Sequence, residues 1–391
     1  MTRPTILSAM LLAVSLAGAT THAASADLAG PSPAAPGAGV INPAPPAVAS
    51  ADAPGDGAAR APVAGSGDRS GDTLAAVRRA GALRCGVVTD VDDYSEADTH
   101  GDLSALGADF CRALAAEALG DAGKALFLSL PDEPGGLAAL RDGRVDVLFG
   151  ATPHPVVAGV YGVAFGPPMF FDGQGFLVAR DSGIATTADL GGRNVCFINA
   201  SPPEQGLYDA LEPRLAVPEA RFPFSERGEM AAALVGGHCD AITGDVSWMA
   251  NVRSAFHAQV ERFVVLPETI TLDPMAPAYR VGDAQWAALV DWTVWALLQA
   301  EEHGITRGNA EDMRRSADPV VRRLTGGLPW IAKSLGVGED AFRLAIEAVG
   351  NYGEMYERDV GGGSALALPR GRNTLASRGG LMWALPVEPL Q

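Results

Sequence analysis

From Thr73 to about residue 276 the apolar positions alternate between two rhythms. Thr73-Leu74-Ala75-Ala76-Val77-Arg78-Arg79-Ala80-Gly81 predicts a short helix with a Thr N-cap and a Gly stop. Leu83-Arg84-Cys85-Gly86-Val87-Val88 then reads as a strand. Leu106, Phe110, Ala113 and Leu114 recur at helical spacing until Gly120 closes the run. Val145 to Phe149 and Gly175 to Val178 predict further strands, and the alternation resumes with Asn194-Val195-Cys196-Phe197-Ile198. Helices are expected from Tyr208 to Leu215 and from Glu229 to Gly236, followed by the strand Cys239-Asp240-Ala241-Ile242-Thr243. Strands alternating with helices imply an α/β architecture with mostly parallel sheets.

Beyond Pro277 the period is helical throughout. Trp286, Leu289, Val290, Thr293, Ala296, Leu297 and Ala300 mark one face, and His303-Gly304 ends it. Trp286, Trp292 and Trp295 sit at helical spacing, which reads as core packing rather than a ligand platform.

The N-terminus follows other rules. Arg3 precedes an apolar run from Ile6 to Val14, and Thr21-His22-Ala23 and Ala24-Ser25-Ala26 both offer small residues for cleavage. Residues 1–26 therefore read as a secretory signal peptide, too short in its apolar part for the ~20 residues of a spanning helix. Residues 27–72 are dominated by Ala, Pro, Gly, Ser and Asp with no aromatic residue, a composition that cannot offset its own ordering entropy, and read as a flexible linker. A soluble exported, periplasmic protein is expected.

Composition narrows the chemistry. The 391 residues carry 29 Lys+Arg against 46 Asp+Glu, a net charge of −17, and no basic patch that could neutralise phosphates, so nucleic acid is not an expected partner. Four cysteines, Cys85, Cys111, Cys196 and Cys239, form no C-x-x-C pair and match no zinc spacing. In an oxidising compartment an even count favours disulfides, and four cysteines allow three pairings. The histidines are scattered, and no G-x-S-x-G, P-loop, H-E-x-x-H or G-x-G-x-x-G motif occurs. No catalytic residue, metal site or cofactor is expected, and the chain does not read as an enzyme.

Several strings carry a resemblance: Leu83 to Val87, Phe110 to Ala113, Phe171 to Phe176, Cys239 to Thr243, Trp292 to Leu297, and above all Ala348-Val349-Gly350-Asn351-Tyr352-Gly353-Glu354-Met355-Tyr356-Glu357-Arg358 with Arg370-Gly371 and Gly379-Gly380-Leu381. Together they resemble the periplasmic solute-binding proteins of general L-amino-acid ABC transporters, from about Thr73 to the C-terminus. The resemblance implies a two-lobed type II periplasmic-binding-protein fold with a two-segment hinge. It places lobe one at 73–176, its return and a C-terminal helical extension at 277–391, and lobe two at 177–272, with crossings in Phe171–Val178 and Glu268–Ala278. Of the possible cysteine pairs, Cys85–Cys111 and Cys196–Cys239 each fall within one such lobe.

The implied function is capture of a small amino acid or related small acid by a monomer, which hands it to a membrane permease. Asp245 matches the ammonium acceptor, Tyr94 an aromatic cover for the ligand side chain, and Asn199-Ala200-Ser201 the loop that meets the ligand carboxylate. Thr152 is matched, but the Arg expected after it is missing from Thr152-Pro153-His154-Pro155. Pro202 stands where an N–H donor is expected, and Gly107 where the pattern has an acid. Those departures leave an alternative: a repurposed scaffold with an altered cleft, acting as a sensor or a protein-binding module.

Overall fold

A computed structural model describes residues 72–88, 103–130, 132–327 and 329–387. The expected signal peptide, the linker short of Asp72, and Tyr94 lie outside the described residues. Helix α1, Thr73–Ala80, ends at Gly81 with φ of 67° and leads into β1, Leu83–Val88. Its start is satisfied by the Asp283 carboxylate, which accepts from the Thr73 N–H at 2.8 Å, and not by a Thr hydroxyl. There follow α2 Leu103–Leu119, β2 Ala125–Leu130, α3 Glu133–Arg141, β3 Val147–Ala151, α4 Pro155–Tyr161 and β4 Val163–Phe165. Then come β5 Phe170–Asp172, β6 Gln174–Ala179, β7 Asn194–Ile198, α5 Pro202–Gly206, β8 Ala220–Phe224, α6 Arg227–Val235, β9 Ala241–Asp245 and α7 Val246–Ala255. Strands β10 Phe263–Val265 and β11 Asp273–Arg280 complete the α/β part. The rest is helical: α8 Ala284–Glu302, α9 Ala310–Met313, α10 Pro319–Leu324, α11 Pro329–Leu335, α12 Ala341–Val349 and α13 Tyr352–Asp359.

The helix expected through Tyr208 to Leu215 is instead a wide π-type turn, Leu207–Leu211, followed by a single 3₁₀ turn, Glu212–Arg214. Pro213 has no N–H to continue an α-helical ladder, so the run breaks there.

The strands make two sheets, ordered β2-β1-β3-β11-β4 with β5 beside β11, and β10-β6-β9-β7-β8. The β-α-β stretches give the parallel pairs, β1 with β2 and β3 and β7 with β8 and β9. The strands that carry the chain between sheets run antiparallel to their neighbours, β11 against β3, β4 and β5, and β6 against β9 and β10.

The main core lies between the first sheet and α2, α8, α12 and α13. Trp286 is fully buried and donates its indole N–H to the Asp146 carbonyl at 3.1 Å, and Trp292 packs edge-on against Trp295 with ring centroids 5.3 Å apart. The tail string has equally local reasons. Asn351 accepts from the Glu354 N–H and Glu354 from the Asn351 N–H, both at 2.9 Å, a reciprocal cap for α13. A side chain at Gly353 would meet Glu301 at 2.9 Å, and Glu301 is the partner of Arg370 at 3.0 Å. The cysteines pair as Cys85–Cys111, joining β1 to α2, and Cys196–Cys239, joining β7 to the turn before β9, with Cα separations of 6.2 and 5.9 Å. Loops of that size restrict the unfolded chain by ~3–4 kcal/mol each.

The crossings between sheets are stitched by the C-terminal segment. Asn373 is buried, accepts from the Phe171 N–H at 2.6 Å and donates to the Phe171 carbonyl at 3.1 Å, while Arg372 donates to the Thr271 carbonyl at 3.0 Å. Asn373→Ala leaves both backbone groups of Phe171 without these partners, at about 1–3 kcal/mol. The melting temperature should fall by several degrees, with Asn373→Asp, which keeps the acceptor, falling less; equal melting of all three proteins would contradict the assignment.

One carboxyl group in the core carries no compensating charge. Glu117 on α2 is fully buried, and burial pushes it up to about 8, against a hydrogen bond with Thr293 that opposes the rise. The single hydroxyl proton of Thr293 cannot serve both the Leu289 carbonyl at 2.8 Å and Glu117 at 2.7 Å, and a protonated Glu117 donating to Thr293 satisfies both contacts. With the folded value above the unfolded one, the group's stabilisation is complete below about pH 4.5 and is lost as pH rises through about 8. Glu117→Gln should therefore raise the melting temperature at pH 8 relative to wild type and flatten its decline between pH 5 and 8; an unchanged pH profile in thermal melts would refute this.

Candidate functional site

In an open α/β sheet ligands bind outside the carboxyl ends of the parallel strands. Here the carboxyl ends of both sheets flank the two crossings. The chain passes from β5 to β6 through Gly173 alone and returns ahead of Asp273. Gln174 pairs with Asp245, Asp172 with Asp273, and Ala151 with Ala276, so the ends of β9 and β3 lie within a few residues of the crossings. β7 runs parallel to β9, which brings the loop after Ile198 to the same edge as Asp245. Thr152, Asn199 to Ser201 and Asp245 thus stand at two carboxyl edges beside one double crossing.

Asp245 is exposed and precedes α7, yet its side chain does not cap that helix. Asp172 has taken over: its carboxylate accepts from the Gly173 N–H at 2.9 Å, from the Ser247 N–H at 3.3 Å and from the Ser247 hydroxyl. Burial pushes the Asp172 carboxyl up, and those donors pull the other way. Gln174, buried beside it, donates to the Pro203 carbonyl at 2.8 Å and to the Thr243 hydroxyl at 2.9 Å, which ties the start of α5 to the crossing.

The loop after β7 is tight. Ala200 has φ of 55°, and Ser201 turns its hydroxyl back to the Ile198 carbonyl. Pro202 and Pro203 open α5 without N–H groups, and the Glu204 carboxylate accepts the Ala200 N–H at 2.7 Å. On the other sheet the Thr152 N–H points at the Glu133 carboxylate at 3.4 Å. Burial pushes the Glu133 carboxyl up, with the Thr152 N–H and His154 opposing. His154 accepts from the Val156 N–H through Nδ1 at 3.2 Å and so caps α4. At Ala200 a carboxylate of the chain itself thus sits on one amide of the loop that the resemblance assigned to a ligand carboxylate.

Gly107 has a packing reason. A Cβ there would lie 2.4 Å from the Phe149 ring, so the position faces the sheet and admits no acidic side chain. Sequence reading passed over Glu133, Glu204 and Asp172, whose partners lie across turns or at the crossing. It also passed over Arg227, which stands at the start of α6 with its guanidinium 5.2 Å from the Trp248 ring centre. The local signal for the first pair was an acid next to Pro-Pro and another beside Pro134.

No family model matches the chain. Among curated proteins, a general L-amino acid-binding periplasmic protein of Rhizobium johnstonii is 34% identical over 327 residues, 83% of this chain and 95% of the relative. A glutamate/glutamine/aspartate/asparagine-binding protein of Rhodobacter capsulatus is 32% identical over 82% of this chain and 95% of its own length. Among solved structures, an ABC transporter periplasmic binding protein of Brucella ovis with glutathione bound is 35% identical, with a TM-score of 0.68 over 81% of this chain and 99% of that one. The two sheets, the double crossing and this near end-to-end similarity agree: the chain belongs to the family of periplasmic amino-acid-binding proteins of ABC transporters and has their type II, two-lobed α/β fold.

Proposed function

We propose that the protein captures an amino acid or a related small solute in the crevice beside the double crossing and delivers it to the membrane permease of an ABC transporter. The observation that carries this reading is the exposed Asp245 at the carboxyl edge of β9, one residue from the crossing in the β6–β9 register and relieved of capping by Asp172. A free ammonium group seeks such a carboxylate. Lobe one, 73–176 with 277–391, and lobe two, 177–272, close on the solute because it touches both and favours the shut form by its differential affinity. Thr152, Asn199, Ala200 and Ser201 line the edges, and Tyr94 covers the bound side chain. The protein works as a periplasmic monomer after removal of 1–26, with 27–72 as a spacer, and returns its solute unchanged, as a carrier and not an enzyme. The relatives' ligands, several amino acids in one case and glutathione in another, support a small solute with an α-amino acid headgroup over a repurposed scaffold with an altered cleft that acts as a sensor or protein-binding module.

The test is a thermal-shift panel on the purified protein with each amino acid, glutathione and small dicarboxylates. A ligand at ~1,000 times its Kd adds ~4 kcal/mol, a shift of several degrees. At least one amino-acid-headed solute should give that shift, Asp245→Ala should abolish it, and mass spectrometry should recover the ligand intact. A flat panel, or a ligand consumed during incubation, would overturn the proposal.

A further inference from the structure

Helix α7 is built into both lobes. Met249 and Val252 are buried in a core of the second sheet, with Trp248 and Phe256 packed against it. Val246, Ala250 and Arg253 recur at i, i+4 and i+7 and so share another face. Ala250 is buried in the main core, Val246 packs on that core, and Arg253 donates to the carbonyl of Leu366, a residue of the same core, at 2.8 Å. We propose that this face is the seam of closure and that the Arg253–Leu366 contact sets the balance between the open and shut forms. The inference rests on the solute-binding reading above.

The helix has a pivot and a far end. At its start the Val246 N–H donates to the Gly173 carbonyl at 3.0 Å, and Ser247 is held by the Asp172 carboxylate, so both bonds reach into the outgoing crossing. Arg253 lies two helical turns further on, about 10 Å away at 1.5 Å per residue. A rotation of the lobes about the crossings therefore leaves the start of α7 almost in place and displaces its far end. The 360–368 loop gives that end a firm partner. The Gly361 N–H donates to the Tyr356 carbonyl at 2.7 Å, the Gly363 N–H to the Glu357 carbonyl at 2.8 Å and the Leu368 N–H to the Val360 carbonyl at 2.9 Å, which ties the loop to α13.

The contact itself is closely balanced. Ala250 and Leu366 are buried, and their packing favours the seam as it stands. The half-buried Arg253 donates to one carbonyl, while its Nε is buried without a hydrogen bond among the described residues. Such a group gains from water when the seam parts. A cation in the last turn of a helix complements the dipole, but that role needs neither the carbonyl nor the burial. Packing that holds the seam is thus set against hydration that loosens it. A change in that balance changes the fraction of binding-competent protein and multiplies every apparent affinity alike.

Three measurements on the full protein test the seam. Spin labels at Val217→Cys in the second lobe and Val281→Cys in the first, both exposed positions, report the interlobe distance by double electron–electron resonance. Without ligand, adding Arg253→Gln should shift that distance distribution. In calorimetry, Arg253→Gln should change the affinity of every amino acid found by the thermal-shift panel in the same direction and by the same factor, three-fold or more. Arg253→Lys, which keeps the charge and a donor, should move both readouts the same way by less. In wild type, ligand should change amide hydrogen exchange at 360–368, although this loop meets α7 at the end away from the crevice; this arm needs no variant to fold. Unmoved distances, a factor below three, factors that differ among ligands, or unchanged exchange at 360–368 would each overturn the proposal with amino-acid capture intact. A lower melting temperature with unmoved distances and affinities would reduce Arg253 to a structural role and overturn it too. Wild-type binding of no amino acid would instead remove the solute-binding reading, and the distances would still decide whether Arg253 sets the lobe balance.

Discussion

The rest of the molecule depends on how closely the two crossing segments pass. At Gly173 a Cβ would lie 2.6 Å from the Thr271 carbonyl oxygen, so only glycine lets the outgoing strand run against the returning one. That approach lets the Gln174 N–H reach the Thr271 hydroxyl at 2.8 Å and lets Thr271 reach Asp273 at 2.6 Å. It also sets both sheets with their parallel carboxyl edges toward one line. A wider crossing would separate Thr152 from Asp245 and remove the shared crevice. The binding site is thus a consequence of backbone packing before any side chain is chosen.

The side chains then divide their work by charge. Asp172 is spent on the N–H groups that begin α7, which leaves Asp245 without a capping duty at an exposed edge. Glu133 and Glu204 take up the amides of Thr152 and Ala200.

Much of the fold was legible in the sequence because it rests on local patterns. The β-α-β alternation through Cys196 and Cys239, the Gly81 stop and the long amphipathic helix from Trp286 onward follow from period and punctuation alone. The tail string was legible as a resemblance, and its reason is local too, the reciprocal cap of Asn351 and Glu354. Asp245 was singled out by the resemblance alone. What was hidden depends on partners that are distant in sequence or on geometry that spacing does not encode. Gly107 reads as a lost acid until Phe149, more than forty positions on, is seen to fill its space. Glu133 meets Thr152 across a helix and a strand. Arg227 and Trp248 lie far apart in sequence, and only the fold brings the guanidinium over the ring.

The distribution of covalent and non-covalent restraint fits a molecule that must close without deforming. Each disulfide lies within one layer, β1 to α2 in the first and β7 to the turn before β9 in the second, and the four cysteines leave none to bridge the crossings. What spans the crossings is hydrogen-bonded instead: Asn373 to Phe171, Arg372 to Thr271, and Arg253 of α7 to Leu366. Hydrogen bonds of this kind are each worth about 1 kcal/mol net and can be exchanged for water as lobes rotate, whereas a disulfide cannot. Stiff lobes with a compliant joint are what capture by closure requires, since a ligand can shift the open–closed balance only by its differential affinity for the two states. The C-terminal segment therefore acts on both lobes at once: it belongs by packing to the first core, yet its 366–373 stretch holds the backbone of both crossings and the helix that follows Asp245.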